Sequence, residues 1–337
     1  MPSSADANKP RWQGQAGFFE IWFLVLFDPR RRRAWWIRYS TFAPVIGTPR
    51  ATVWAAVFDA DSQRSVAGKT MLPIGQYTDT ARDGFGIEIG GASLGQGWCR
   101  GRVDAGARRL AWNLTFTPAA AAAVRGPAWL DRLPAPTHVA HANSEIQFNG
   151  TVSLDAEEIT LRAAPGVQKH IWGTRRVEEL FWIYCPHFLE APDAAFEASS
   201  VRVRRGRTPR LTPIWLRANG REYGAWGLPG LLRHRVEPAG VGRLRAVATA
   251  ARVAIVAEAA CDPGSLVGYV YRDPSGRDLH VAQSDVATCT VELRTRAHRF
   301  GEWHTQARLT GPLAAVEFHH PEPLPGVTYV PWDATSV

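Results

Sequence analysis

The chain is cut into strand-length pieces. From Phe18 onward, apolar and aromatic residues come in runs of about four to ten, bounded by Gly, Pro, Asp or Ser. Phe18 to Phe27 is apolar on both faces and reads as a strand buried on both sides. Asp28-Pro29 and four arginines then form a turn before AWWIRYSTF, which completes a hairpin. Ala51 to Asp59, Phe85 to Ile89, and the pair Gln96 to Asp104 and Arg108 to Thr117 continue the pattern. In the last of these Leu110, Trp112, Leu114 and Phe116 share one face. Glu145 to Leu154, Ile159 to Arg162, Ser199 to Arg205, Thr212 to Arg217, Glu222 to Trp226 and Leu231 to Glu237 follow. Gly242 to Cys261 reads as two strands. Leu266 to Tyr271 and Leu279 to Gln283 flank Asp273-Pro274-Ser275-Gly276 as a hairpin, and Val286 to Thr295, Trp303 to Leu309 and Leu313 to His319 close the series. About twenty short strands at this spacing predict an all-β protein with little helix. The one helix expected is the Ala-rich stretch Pro118 to Leu133, with a loop from Pro134 to Asn143.

A chain of 337 residues is comfortable as two domains. The halves echo each other faintly. Trp12-Gln13-Gly14 leads into FFEIWFLVLFDP, and Trp172-Gly173 leads into ELFWIYCPHF. The expected division is a disordered segment 1–12, antiparallel barrel or sandwich domains at 13–165 and 166–320, and a Pro-rich tail at 321–337. Barrels of about eight strands hold one small ligand or fill with side chains. Fourteen Trp, 14 Phe and 7 Tyr favour aromatic-lined interiors.

Charge excludes more than it suggests. The net charge is +8, but no basic helix or zinc-finger spacing accompanies it, so no nucleic-acid partner is expected. Only Lys9, Lys69 and Lys169 are lysines. FFEIWFLVLF is too short to span a bilayer, and the polar first residues show no leader, so a cytoplasmic location is expected. Four scattered cysteines suggest no disulfide framework. Cys185 with His187, and His319-His320, lack the further ligands a metal site needs, so no metal and no cofactor are expected.

The stretch Gly166 to Phe188, GVQKHIWGTRRVEELFWIYCPHF, concentrates the polar chemistry. His170 and Trp172 point one way on a strand. Glu179, Phe181, Ile183 and Cys185 share one face of the next, and Glu178, Leu180, Trp182 and Tyr184 the other. Polar tips among large apolar side chains fit the wet end of a greasy pocket. Structural roles fit the same residues, since a His beside a Trp is commonly a core histidine.

Through His170, Trp172, Gly173, Arg175, Trp182 and Cys185 this stretch resembles a segment of the lipocalin-like superfamily of carotenoid hydratases (hydroxyneurosporene synthases), tocopherol cyclases and fungal Diels–Alderase-type cyclases. WCRGRVDAGARRLAWNLTF is similar to another of its segments. Lys169 stands where that superfamily usually has Asp, and Ile171 where it has Asn or Ser. The resemblance implies two tandem lipocalin-like domains and a hydratase (a lyase) or cyclase (an isomerase). Such an enzyme works by acid–base chemistry on a lipophilic isoprenoid- or polyketide-like molecule. A carrier without turnover and a structural double barrel with filled interiors are the alternatives.

Protonating an unactivated double bond needs an acid kept neutral by burial. Carboxylates inside apolar runs are Glu20, Glu88, Glu145, Glu178 and Glu179. Of these, Glu20 and Glu179 are the acid candidates, with His170 and Tyr184 as proton relays. Trp22, Trp36, Trp172 and Trp182 are candidate ligand walls, and Glu145 a further contact. Arg175 and Arg176 are placed to hold an anionic group or close the mouth by ion pair. Gln283 and Ser284, next to Asp285, resemble a polar spot of the same superfamily and are weaker ligand candidates. For each carboxylate the plain alternative is a strand Glu paired with one of the many arginines.

Overall fold

The computed structural model describes residues 2–81, 84–125, 135–224 and 227–333. The first sheet contains β1 (Phe18–Asp28), β2 (Arg33–Ala43), β3 (Arg50–Asp59), β4 (Arg64–Pro73), β5 (Tyr77–Asp79), β6 (Gly86–Ile89), β7 (Ala92–Gly95), β8 (Trp98–Ala105), β9 (Arg108–Phe116), β10 (Thr137–Leu154) and β11 (Glu157–Gly173). Their order across the sheet is β4-β3-β2-β1-β11-β10-β9-β8-β7-β6-β5. The sheet rolls until β4 meets β8. A Cβ at Gly68 would lie 2.7 Å from the Ala105 Cβ and from the Asp104 carbonyl, so only glycine permits that approach.

The second sheet contains β12 (Glu179–Cys185), β13 (Ala195–Arg202), β14 (Ile214–Ala218), β15 (Arg221–Tyr223), β16 (Arg235–Gly240), β17 (Arg243–Thr249), β18 (Val253–Ala260), β19 (Val267–Arg272), β20 (Asp278–Thr295), β21 (His304–His320) and β22 (Tyr329–Val330). Its main path runs β15-β14-β13-β12-β21-β20-β18-β17-β16, with β19 on β20 and β22 parallel to β19. The halves share a plan. In each, the first strand pairs with the last long one, β1 with β11 and β12 with β21. The long pairs β10–β11 and β20–β21 both bend at register shifts. The fold is therefore the expected all-β one, built as two large antiparallel sheets.

Alternation explains why β1 is apolar on both faces. Trp22, Leu24 and Leu26 enter the first barrel's core, where Tyr39 and Trp112 also pack. Phe19, Ile21, Phe23, Val25 and Phe27 point outward and join a second cluster with Trp182, Tyr184, Tyr269 and Tyr271 from the other sheet. The second sheet has its own Ala-rich core, with Phe181, Phe196 and Phe318. Three apolar layers result, and the middle one is the seam between the barrels.

Several expectations are corrected. Within the segment 1–12, expected to be disordered, Ser4–Asn8 forms α1, with Ala7 and Asn8 buried. Pro118 to Arg125 is not helical, since Ala123 bridges His141; the remainder of that expected helix, 126–133, lies outside the described residues. The expected loop at 134–143 is largely strand, because β10 starts at Thr137. Gly227–Arg233, expected to begin a strand at Leu231, forms α2. The boundary expected at 165/166 falls inside β11, which stays in the first sheet to Gly173. Among the described residues no helix is long and apolar enough to cross a membrane.

Candidate active site

Strand register assembles a row of side chains on the outer face of the first barrel. Lys169 of β11 is paired with Phe23 of β1, Phe23 with Arg38 of β2, Arg38 with Trp54 of β3, and Trp54 with Lys69 of β4. Cations and aromatics alternate along it. The second sheet presents its own row, Trp182 of β12, Glu317 of β21, Gln283 of β20 and Val267 of β19. Two residues along, on the same face, lie Leu180, His319, Val281 and Tyr269.

The cations are buried against aromatic faces. The Arg38 guanidinium lies 4.3 Å from the Tyr271 ring centre and 5.5 Å from that of Trp54. Arg176 lies 5.1 Å from Tyr271 and 4.4 Å from Phe19. Lys69 sits 4.6 Å from Trp54, and Lys169 4.5 Å from Trp182. Such contacts offset part of the lost hydration but not all of it. Lys169 is neutralised by Glu197, which also accepts the Trp182 Nε1–H at 3.0 Å and faces Arg125 at 3.5 Å and His141 at 3.6 Å. Arg38, Lys69 and Arg176 form no ion pair among the described residues. Lys69 donates to the carbonyls of Pro331 and Trp332 at 2.7 and 2.6 Å, and Arg176 Nε to that of Arg272 at 3.0 Å. Burial, with Arg38 as a like-charged neighbour, lowers Lys69 to about 8 and Arg176 to about 9.

Two carboxyls in this layer are pushed the other way. Burial raises Asp285 to about 7; the Gln283 amide donating at 2.8 Å opposes the rise and Glu317 adds to it. Burial also raises Glu317 to about 7, against the pull of Arg38, Lys169 and Arg176. Asp285 is fully buried, whereas Glu317 keeps a little accessible surface but is enclosed widely enough to lose its hydration. Burial also lowers His319 to about 3, with Arg176 as a further cause, so its ring is neutral at pH 7. Arg38 Nε, Trp54 Nε1, Tyr269 Oη, Gln283 Oε1, Asp285 Oδ2 and His319 Nε2 are all buried without a hydrogen-bond partner among the described residues. Each such group is destabilising by about 1–3 kcal/mol, and six of them collect in this one layer. At the rim a cleft of about 500 Å³ opens between Phe42, Met71, Arg272, Pro274 and Trp332. Trp332 packs on Phe42 and lies over Lys69. An acid half-protonated at neutral pH, inside an aromatic wall, can protonate an apolar substrate and take the proton back.

Sequence-expected residues divide between this seam and other places. Trp36, Trp182, Tyr184 and Gln283 belong to the seam. Trp36 lies 5.3 Å from Tyr269, Tyr184 stacks on Trp182, and the Tyr184 hydroxyl donates to the Gly166 carbonyl at 3.2 Å. Ser284 faces away and meets Ser265 at 2.8 Å. Glu145 is tied to Arg125 and Arg217, and Arg175 binds through its backbone to Thr137 and Pro136. Glu179 has the plain alternative role. Arg210, Arg202, Arg205 and His320 surround it at 2.9 to 3.6 Å.

Glu20, His170, Trp22 and Trp172 do come together, but beneath the N-terminal segment. The His170 ring stacks 4.8 Å from Trp22 and lies 4.6 Å from Trp172. Its Nδ1 donates to the Ala7 carbonyl at 2.8 Å, and its Nε2 meets Glu20 at 2.8 Å. Glu20 also accepts the backbone N–H groups of Arg11 and Trp12 at 2.6 and 3.0 Å. Asn8 exchanges amide hydrogen bonds with buried Gln168, and its carbonyl accepts the Trp22 Nε1–H. These residues form a latch. Deleting residues 2–12 is expected to lower unfolding free energy by about 2 kcal/mol or more in urea, because Trp22, Gln168 and His170 lose buried partners. An unchanged midpoint would contradict the latch.

The local pattern did not reveal Glu317, Arg38, Lys69, Tyr269, Tyr271 or Trp54 as site residues. A usable signal was present, since two of only three lysines sit inside apolar strands. Gly91-Ala92-Ser93-Leu94-Gly95 has the spacing of a hydrolase nucleophile turn, but it lies along β7, and the Ser93 hydroxyl binds Glu88 at 3.2 Å.

Comparison with known proteins agrees with this architecture. The model of the family described as tocopherol cyclase-like matches residues 68–318. An uncharacterized protein of Mycobacterium tuberculosis (strain H37Rv) is 25% identical over 322 residues, covering 91% of each chain. Among solved structures, a protein assigned as AttH from Nitrosomonas europaea superposes with a TM-score of 0.57 at 12% identity, covering 92% of this chain and 99% of that one. Kievitone hydratase from Nectria haematococca gives 0.52 at 9% identity, covering 89% and 88%. At those identities the two structures show a shared fold.

Proposed function

The chain belongs to the tocopherol cyclase-like family, and from that premise we propose a hydratase or cyclase working by acid–base chemistry in the seam between its two barrels. Its substrate is a lipophilic, isoprenoid- or polyketide-like small molecule. The observation that carries the reading is the pair Asp285 and Glu317, both brought to about 7 by burial among Trp, Tyr and Phe side chains. A protonated carboxyl adds its proton to one alkene carbon. Water, or a hydroxyl of the same molecule, bonds to the other carbon and returns a proton to the carboxylate. The first route gives a hydrate, the second a ring of unchanged mass. Neither changes oxidation state, so the reaction requires no redox cofactor. The hydratase name of one structural relative supports the same class.

The test is incubation of purified protein with prenylated phenols, followed by mass spectrometry. A hydrated product or a ring-closed isomer made by wild type is expected, and its formation should fall in Asp285→Asn and Glu317→Gln. Bound substrate returned unchanged would instead indicate a carrier.

A further inference from the structure

We propose that the seam recognises lipophilic molecules ending in a carboxylate, with Arg38 and Arg176, both beside the Tyr271 ring, holding that head group. This deepens the seam reading and rests on the seam being the ligand site. The starting point is an imbalance of charge. Arg38 is 2% exposed and Arg176 4%, yet neither reaches a carboxylate at ion-pair distance among the described residues. Both guanidiniums lie over one ring, that of Tyr271, and they act on each other as like charges. Lys69, also buried, adds a third positive charge. Removing cations from water without a counter-ion is strongly unfavourable unless something supplies one.

Asp333 attracts Lys69, and Asp273 and Glu317 attract Arg176, but among the described residues none lies at ion-pair distance from these cations. Lys169 takes Glu197, and the Asp273 carboxylate accepts the Arg176 backbone N–H at 2.7 Å rather than its guanidinium. Glu317, which both arginines attract, still titrates near 7 and carries only part of a charge at neutral pH. Arg38 Nε is buried and has no hydrogen-bond partner among the described residues, a donor left for an incoming oxygen. A guanidinium presents its N–H groups in a plane that matches a carboxylate, and two of them can share one head group. The walls next to them, Phe19, Trp54 and Tyr271, are apolar, so the rest of the molecule must be greasy. The same placement keeps an anion beside the arginines, which would otherwise repel positive charge developing on a protonated substrate.

The experiment compares cis-parinaric acid with its methyl ester by fluorescence titration of wild type, Arg38→Met and Arg176→Met. Wild type is expected to bind the acid at least ten-fold more tightly than the ester. In each variant the acid should weaken to the level of the ester, while the ester is held as before. Equal affinity of wild type for both probes, or binding of neither, overturns the proposal. So does a variant that loses the ester as well, since that marks a structural role. Unchanged ester binding and near-ultraviolet circular dichroism verify that the variants fold. Because binding is read without turnover, the outcome is separable from the acid–base reading. Loss of turnover in Asp285→Asn with equal binding of acid and ester would keep the enzyme and remove the head-group site.

Discussion

Glu197→Gln is expected to lower the unfolding free energy by about 3–5 kcal/mol at pH 7, measured by urea denaturation. Glu197 projects from β13 into the seam at 5% exposure. Its carboxylate takes Lys169 of the opposite barrel, the Trp182 indole N–H, and more distantly His141 and Arg125. Burial alone would push this carboxyl up, but Lys169, His141 and Arg125 together hold it well below the usual carboxylate range. The amide keeps the shape and one acceptor and loses the charge. Lys169, 4% exposed, is then left as a buried cation on the faces of Trp182 and Tyr184, which cannot replace a counter-ion. The sign of the pH dependence follows. A depressed carboxyl contributes stability that is present above its ordinary value of 4.5 and fades as pH falls toward the folded value, so the gap between variant and wild type narrows in acid. The double variant Lys169→Met with Glu197→Met should recover most of the loss, because an apolar pair leaves no uncompensated charge. A single variant within about 1 kcal/mol of wild type would show that the pair does not hold the barrels together.

That pair also shows where sequence reading stops. The all-β fold was legible, because alternation along runs such as Leu110 to Phe116 is a local property of the chain. The burial of β1 on both faces was legible for the same reason. What the second face packs against was not, since Phe23 meets Trp182 across barrels. Lys169 looked like a departure from an expected Asp until the packing of the two sheets brought it to Glu197. The N-terminal segment looked disordered because its partners are remote: Asn8 binds Gln168, 160 positions away. The domain boundary was misplaced because β11 continues past the polar residues that suggested a break. The acid candidates could not be ranked from sequence for a related reason. Glu20, Glu179 and Glu317 are all carboxylates in apolar strands, and periodicity treats them alike. Their difference lies in the neighbours. Glu179 has three guanidiniums, Glu20 two backbone N–H groups and an imidazole, and Glu317 has cations held back on the opposite sheet. Only pairing across β12, β21 and β20 decides which carboxyl stays without a bound partner.

Asp285→Asn and Glu317→Gln should move activity and stability in opposite directions, and pH should control both. General-acid catalysis supplies roughly 10²- to 10⁴-fold, so kcat/KM for a hydrated or cyclised substrate should fall by that much in the variant that removes the donor. Wild-type kcat/KM should be level below pH 7 and decline above it, about ten-fold per unit, as the donor loses its proton. Stability carries the complementary sign. Asp285 rises from 3.8 to about 7 on folding, so between those values the native state binds more protons than the unfolded chain. The associated stability is complete below pH 4 and is lost as pH rises through 7. A difference of about 3 in pKa corresponds to on the order of 4 kcal/mol. At pH 8 the wild type must hold a charged carboxylate in the seam, whereas Asp285→Asn holds a neutral amide. The variant should therefore unfold at higher urea than wild type at pH 8 and at nearly equal urea at pH 4. Glu317→Gln should follow the same trend with a smaller gain, because its carboxylate is attracted by Arg38, Lys169 and Arg176. A variant that loses activity together with stability at pH 8 would mean the carboxyl is structural. One that keeps the wild-type pH profile would mean the proton comes from elsewhere. Gain of stability with loss of rate is the combination expected of a carboxyl kept in an unfavourable place for the sake of its proton.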